Sequence, residues 1–213
     1  VAELNLQSNG GPPEQRGARV ERLRDAAAAV PGVRSASVSA IPLLTGGGWS
    51  SGRVRVGDGP ISESRPGAGL WLNATTPGWF ETMGMPLRSG RDFEAGDRGG
   101  SRPVAIVNEA FVRRFLQGGQ PIGQLVRLGS DSEMSYEIVG VVGDAVYTTP
   151  REGMLATMYV AVAQRTPVTF WSTVLLTINA APGQRLDVQR DVAAALARVD
   201  PTVAFTFGTF DQV

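Results

Sequence analysis

The residues able to do chemistry are few, and what is missing narrows the field first. Of 213 residues, 20 are acidic and 20 basic, every basic residue is arginine, and there is no Lys, His or Cys. Without His or Cys the chain offers no zinc finger, no catalytic zinc of the usual kind, no cysteine nucleophile and no Ser-His-Asp triad. Without Lys it offers no Walker A lysine, Schiff base or Ser-Lys dyad. Hydroxyls and carboxylates remain, in a handful of places. Gly48-Trp49-Ser50-Ser51-Gly52 has the G-x-S-x-G spacing of a nucleophile elbow. That device needs a strand before it, a helix after it and a base, whereas here a Gly-rich loop leads in; a loop tip is the better account.

Asp92, Glu94 and Asp97 crowd together in RDFEAGD, and Asp131 and Glu133 share the 129–135 loop. Clustered carboxylates can hold Ca²⁺, but the EF-hand spacing and its terminal Glu are absent, so solvated loop charges are the simpler reading. A weak divalent-ion site at Asp92, Glu94 and Asp97 is the one metal reading left open. Gly140-Val141-Val142-Gly143-Asp144 lacks the third Gly and the following helix of a phosphate-cradling turn, and no carboxylate at a fixed offset pairs with Asp144. No catalytic residue, metal ligand or cofactor-binding residue is assigned, and no cofactor is expected. Asn73-Ala74-Thr75 is a formal glycosylation sequon, and Thr75 or Thr76 is the expected cap of a helix starting at Pro77.

The elements that must position these groups are organised around Pro103–Asp144. Val104–Val107 reads as a strand and Asn108 as the N-cap of a helix with Ala110, Phe111, Phe115 and Leu116 on one face; Gly118-Gly119 ends it. Strands follow at Gln124–Leu128 and Tyr136–Val142. At the N-terminus, Val1–Leu6 is a strand, Glu14–Val30 an amphipathic helix with Val20, Leu23, Ala27 and Val30 at spacings of three and four, and Val33–Ile41 a strand. The C-terminus repeats the plan: strand Thr173–Asn179, helix Gln184–Val199 with Leu186, Val192, Leu196 and Val199 on one side, strand Val203–Phe207. Neither β-α-β unit can bury its helix and sheet alone, so the two are expected to pack side by side as one split β-α-β, ferredoxin-like layer. The middle then becomes an insertion carrying small strands at Arg53–Val56, Gly69–Ala74, Pro86–Arg88 and Leu155–Ala161. The predicted class is α+β, with residues 1–43 and 168–213 forming one discontinuous subdomain and 44–167 a β-rich inserted one.

A chain of this length can bury roughly 70% of its unfolded surface, so neither metal nor disulfide is needed for a core. Its balanced charge gives no footprint for nucleic acid. No apolar run reaches the ~18–20 residues that span a bilayer and no signal-peptide pattern opens the chain, so an excised soluble domain is expected. Trp71 and Trp171 sit in strand-like runs and are expected in the core. Trp49 and Ser50, in the Thr45–Gly52 loop, are candidates for a partner-facing contact, as is the 145–156 loop.

The order of strand, VNEAF, short helix, PIGQLVRLG and EIVGVVGD, with TPGWFETMGMPLRSGRDF upstream and MYVAVAQ downstream, resembles the extracytoplasmic core domain of MacB/FtsX-like ABC-transporter permeases, nearest the duplicated-permease branch. The resemblance spans most of the chain and is densest from Asn73 to Gln164. It implies a porter-like subdomain from the two ends, a sabre-like one between them, and a non-catalytic role: transmitting ATP-driven motion of membrane helices to partners or substrate outside the inner membrane, as in efflux or lipoprotein release. The implied partners are the parent chain's own transmembrane helices, a cytoplasmic ABC ATPase, a periplasmic adaptor in some members, and a second permease in a dimer. Crossings near Pro42–Leu44 and Thr166–Val168 make Pro42, Leu44, Thr166 and Pro167 the candidate hinge. The alternative is a periplasmic module that binds a ligand or peptide in a cleft between its two subdomains.

Overall fold

A computed structural model describes residues 1–6, 15–43, 49–64, 69–129, 134–146, 153–164, 173–181 and 185–209. The two ends of the chain do combine. Strands β1 (Ala2–Asn5), β2 (Val33–Ser39), β12 (Thr173–Ala180) and β13 (Ala204–Phe207) lie in the order β13-β1-β12-β2, each antiparallel to its neighbour. Helices α1 (Arg16–Ala28) and α4 (Arg185–Val199) pack together on one face. This is the expected split β-α-β layer. It forms because alternate strand residues (Ala2 and Leu4, Ala36 and Val38, Val174 and Leu176) point to the face where Val20, Leu23 and Ala27 of α1 are buried. From α4 come Val188, Val192, Ala195 and Leu196. The expected α4 stripe is thereby corrected: Leu186 is 80% exposed and Val199 41%. The buried set starts at Val188 and recurs at i+4, i+7 and i+8; Leu186, two residues earlier, falls on the opposite side of the helix.

The layer is locked from outside by Arg19 of α1. Its guanidinium pairs with Asp200 just past α4 and also donates to the Thr202 hydroxyl and the Leu6 carbonyl. Arg19 is itself buried, so the pair joins three chain segments rather than decorating a surface.

Beyond β2 the sheet continues without a break through β6 (Leu70–Thr75), β11 (Thr157–Ala161), β8 (Val104–Asn108), β10 (Ser135–Val142), β9 (Leu125–Leu128), β4 (Arg53–Val56) and β5 (Ser62–Glu63). Strand β3 (Trp49–Ser51) adds to β6, and β7 (Leu87–Gly90) to β10. Pairs β6/β11 and β8/β10 are parallel. Accordingly β8 and β11 are buried at every position, as strands covered on both faces must be. Helix α3 (Glu109–Phe115) covers the same face as α1 and α4, burying Phe111 against Met158 and Val160 within one continuous core.

A second core lies on the other face. There the short helix α2 (Trp79–Thr82) places Trp79 and Phe80 against Tyr159, Phe93, Ile106 and Val142. Phe80 meets Tyr159 edge-on at 4.9 Å and Trp79 at 5.4 Å, the geometry ring quadrupoles favour.

Candidate functional site

The groups singled out for chemistry are not brought together. Ser50 does not sit on a loop tip: Trp49–Ser51 is a strand, in register with Leu72, Trp71 and Leu70 of β6. Three residues are too few to show an alternating pattern, and the pairing is supplied by a strand twenty residues away. Gly69 is part of the reason, because a Cβ there would lie 2.2 Å from the Ser51 carbonyl. Thr45–Gly48, the rest of that predicted loop, lies outside the described residues. Trp49 keeps 40% of its surface exposed, while Trp71, expected in the core, is half-buried with its indole nitrogen enclosed. Trp171 lies outside the described residues, as do Asp131 and Glu133.

The carboxylates of RDFEAGD are occupied by the chain itself. Asp97 is buried, takes both arms of Arg91 at 2.7 and 3.0 Å, and accepts the Glu94 N–H. Asp92 accepts the N–H groups of Gly78 and Phe93. Burial and, less strongly, nearby Glu81 hold its carboxyl above the usual range, against the opposing pull of those two N–H bonds and Arg91. Among the described residues no group of three or more carboxylates is arranged to hold a metal. The expected threonine cap of α2 is corrected as well; at that helix start Asp92 accepts only from the N–H of the residue that stands there. The N-cap is Gly78, at φ 79°, and Thr76 turns its hydroxyl to accept the Val38 N–H instead. Asp144 closes the amino end of α3, accepting the Ala110 N–H at 2.7 Å and Arg113 at 2.6 Å. The glycines before it serve packing: a Cβ on Gly140 would stand 2.3 Å from the Arg91 carbonyl. Asn108 caps α3 as expected, its Oδ1 accepting from Phe111; the same oxygen accepts the Thr157 N–H and its Nδ2 donates to the Leu155 carbonyl.

What the structure builds instead is a joint. The elements from the chain's two ends (β1, β2, β12, β13, α1, α4) meet the strands between them along β2 and β6, where the one register pair is Ser39 with Thr75. Around it the Thr76 N–H donates to the Val38 carbonyl and the Ala40 N–H to the Ala74 carbonyl. Asn73 completes the junction. Its Oδ1 accepts the Ile41 N–H at 3.0 Å while its Nδ2 donates to the Ile41 carbonyl at 2.9 Å. Asn73 is 3% exposed, so the sequon points inward and its amide nitrogen is committed. Pro42, of the candidate hinge, follows this pinned residue directly and is half-buried; Leu44, Thr166 and Pro167 lie outside the described residues. The signal that could have found the pin is an asparagine inside an otherwise apolar strand, which must have partners when buried.

At the same joint a cavity of about 550 Å³ opens beside the start of β1 and β12 and the end of β13. Ala40, Pro42, Val174, Leu175 and Phe207 supply an apolar wall, and Glu3, Thr173 and Thr206 the polar groups. The cavity reaches Val1 and Gly208, which exchange both backbone hydrogen bonds, each 3.0 Å long. Strands β1 and β13 therefore begin and end side by side.

The model of the MacB-like periplasmic core domain family matches residues 4–199. No curated protein matches the sequence. Among solved structures the chain is similar to the periplasmic region of MacB from Actinobacillus actinomycetemcomitans, at 14% identity and a TM-score of 0.62, covering 99% of this chain and 88% of that one. It is also similar to the extracellular domain of the noncanonic ABC-type transporter YknZ from Gram-positive bacteria, at 17% identity and a TM-score of 0.57, covering 88% and 89%. At such identities the likeness shows the fold.

Proposed function

Because the chain belongs to the family of MacB-like periplasmic core domains, we propose that it is the non-catalytic extracytoplasmic domain of an ABC-transporter permease and carries motion outward from the membrane. In this reading ATP binding and hydrolysis on a cytoplasmic ATPase shift the permease's membrane helices, and the domain converts that shift into movement at an external partner or substrate. The observation that carries the reading is the Val1–Gly208 pair together with the Asn73–Ile41 joint. Segments flanking β1 and β13 in a parent permease would act on two neighbouring strands of the terminal lobe. The β2–β6 junction, the core shared beneath α1, α3 and α4, and α2 packed on β2 would carry the displacement on to the inserted strands of the middle lobe. A displacement applied at β1 and β13 reaches the middle lobe through a continuous hydrogen-bonded sheet, not through a loop. Pro42, next to the pin, is the described residue about which the remaining freedom would be expressed, with Leu44, Thr166 and Pro167 completing the hinge.

The proposed assembly is a permease dimer with its ATPase, and in an efflux or lipoprotein-release system a periplasmic adaptor or cargo protein. Trp49 and Ser50, on an edge of the middle lobe with Trp49 partly exposed, are proposed to face such a partner. No helix of the described residues is long and apolar enough to cross a membrane; the permease reading assigns anchoring to helices elsewhere in the parent protein. The test is sidedness in the full-length permease. A cysteine placed at exposed Leu186 in a cysteine-free parent should react with a membrane-impermeant maleimide added outside the inner membrane. Labelling only after the inner membrane is opened would refute the location.

A second reading is favoured by the cavity at the joint, whose size and mostly apolar wall suit a small amphipathic ligand. Glu3 forms no ion pair among the described residues and would select a cationic group. Saturable chemical-shift changes at Glu3, Leu175 and Thr206 on titrating octylamine, absent with octanoate, would support it; no change with either would remove it.

A further inference from the structure

At the far end of the sheet from Val1 and Gly208, two arginines stand at directly opposite positions of neighbouring strands. Arg55 of β4 and Arg127 of β9 are direct register partners on antiparallel strands. Strand alternation puts them on one side, since Val54 and Val126, one residue away on each strand, are both buried in the core. Arg53 shares that side and is neutralised by Glu63 at 2.7 Å. Glu137, two residues beyond Ser135, which pairs with Arg127, is likewise neutralised by Arg102 at 2.7 Å. Neither Arg55 nor Arg127 forms an ion pair among the described residues; Arg127 makes one long hydrogen bond, 3.5 Å, to the Gly57 carbonyl. Asp58 in the adjoining turn bridges neither, and Asp131 and Glu133 lie outside the described residues.

Like charges directly opposite on a sheet destabilise it, and a chain with balanced charge had opposite-sign neighbours to hand. We propose that Arg55 and Arg127 form a recognition site for carboxylates on an acidic segment of a protein partner. Arginines on directly opposite positions of neighbouring strands set two guanidinium groups within reach of one acidic segment, and each planar fork matches a carboxylate. The site lies on strands rather than in a cleft, which favours an extended or helical protein segment over a small anion. The inference rests on the reading of the middle lobe as the outward, partner-facing part of the domain.

The test uses the chain as it stands, a fluorescent peptide of alternating Glu and Thr, and its Gln-Thr counterpart. Anisotropy at low salt should show saturable binding of the Glu peptide alone, weakened on the order of tenfold in R55Q/R127Q and by added salt. The unliganded R127Q chain should melt at the same temperature as the wild type or about 1–3 °C higher, because a like-charge pair has been relieved. Equal binding by wild type and R55Q/R127Q, no binding of the Glu peptide, or inorganic phosphate competing with it at equal concentration would each overturn the proposal. So would a melting temperature for R127Q lower by more than about 3 °C, since relief of the like charge would then be outweighed by what the arginine already holds within the chain. None of these outcomes bears on which side of the membrane Leu186 labels.

Discussion

Asn73 holds the backbone of Ile41 with both ends of its amide, its oxygen accepting the N–H at 3.0 Å and its nitrogen donating to the carbonyl at 2.9 Å. Asn73 lies in β6 and Ile41 just past the end of β2, and the side chain does what one more rung of β2 against β6 would do. It extends the sheet by a step just where β2 ends and the chain turns into the Pro42 crossing.

Asn73→Ala should therefore cost about 1–3 kcal/mol, because it leaves the half-buried Ile41 N–H and carbonyl without this partner. Chemical denaturation measures the loss, and hydrogen exchange should localise it to Ile41, Ala40 and Ala74. Asn73→Asp keeps the acceptor but sets a carboxylate oxygen against the Ile41 carbonyl, so it should rescue little. A loss below about 0.5 kcal/mol for Asn73→Ala would show that the junction does not depend on this pin.

Two carboxylates give the stability opposite dependences on pH. Burial raises the Asp200 carboxyl, but the Thr202 bonds and Arg19 outweigh it, leaving the group below the ordinary carboxylate range. Its contribution is present above the unfolded-chain value and is lost as pH falls through the lowered one. Asp92 is held high, so the folded chain binds its proton more tightly than the unfolded chain does. That contribution is present below the unfolded-chain value and is lost as pH rises through the raised one. Denaturation of the wild type, D200N and D92N between about pH 3 and 7 separates the two. The D200N deficit should shrink on acidification, whereas D92N should remove a gain that the wild type shows on the way from neutral toward the carboxylate range.

Gly140→Ala should be among the more damaging single changes on the middle lobe, on the order of 2–4 kcal/mol, since its methyl would press on the Arg91 backbone, which cannot swing aside. Gly123→Ala, where nothing lies within 4 Å but φ is +85°, should cost only the positive-φ penalty of roughly 1–2 kcal/mol. Thermal melts of the two variants give the order directly; a more stable Gly140→Ala would contradict the packing account.

Much of the fold was legible because it is written in local periodicity. The repeat of strand, helix and strand at both ends, the Asn108 cap and β8, β9 and β10 were all readable to within a residue or two. What was not readable depends on partners far along the chain. Strand β3 exists through β6, and the phase of α4 shows only once Val188 rather than Leu186 is seen to begin the buried set. The joint was hidden for a chemical reason: Asn73 carries the pattern of a modification site, and only the Ile41 backbone beside it shows that its amide is already used. The acidic run at Asp92–Asp97 misleads in the same way, because its ligands are the chain's own Arg91, Gly78 and Phe93.

The most direct test of transmission is a distance measured in the working assembly. Spin labels at Leu186 of both protomers of the reconstituted, ATPase-loaded permease report on the terminal lobes, and labels at Arg88, on exposed β7, report on the middle lobes. The account predicts that ATP, compared with the nucleotide-free state, shifts both inter-protomer distances together in the wild type, and that N73A uncouples the Arg88 shift from the Leu186 shift. Distances at both positions that stay unchanged through the ATP cycle, in a permease that still hydrolyses ATP, would contradict it.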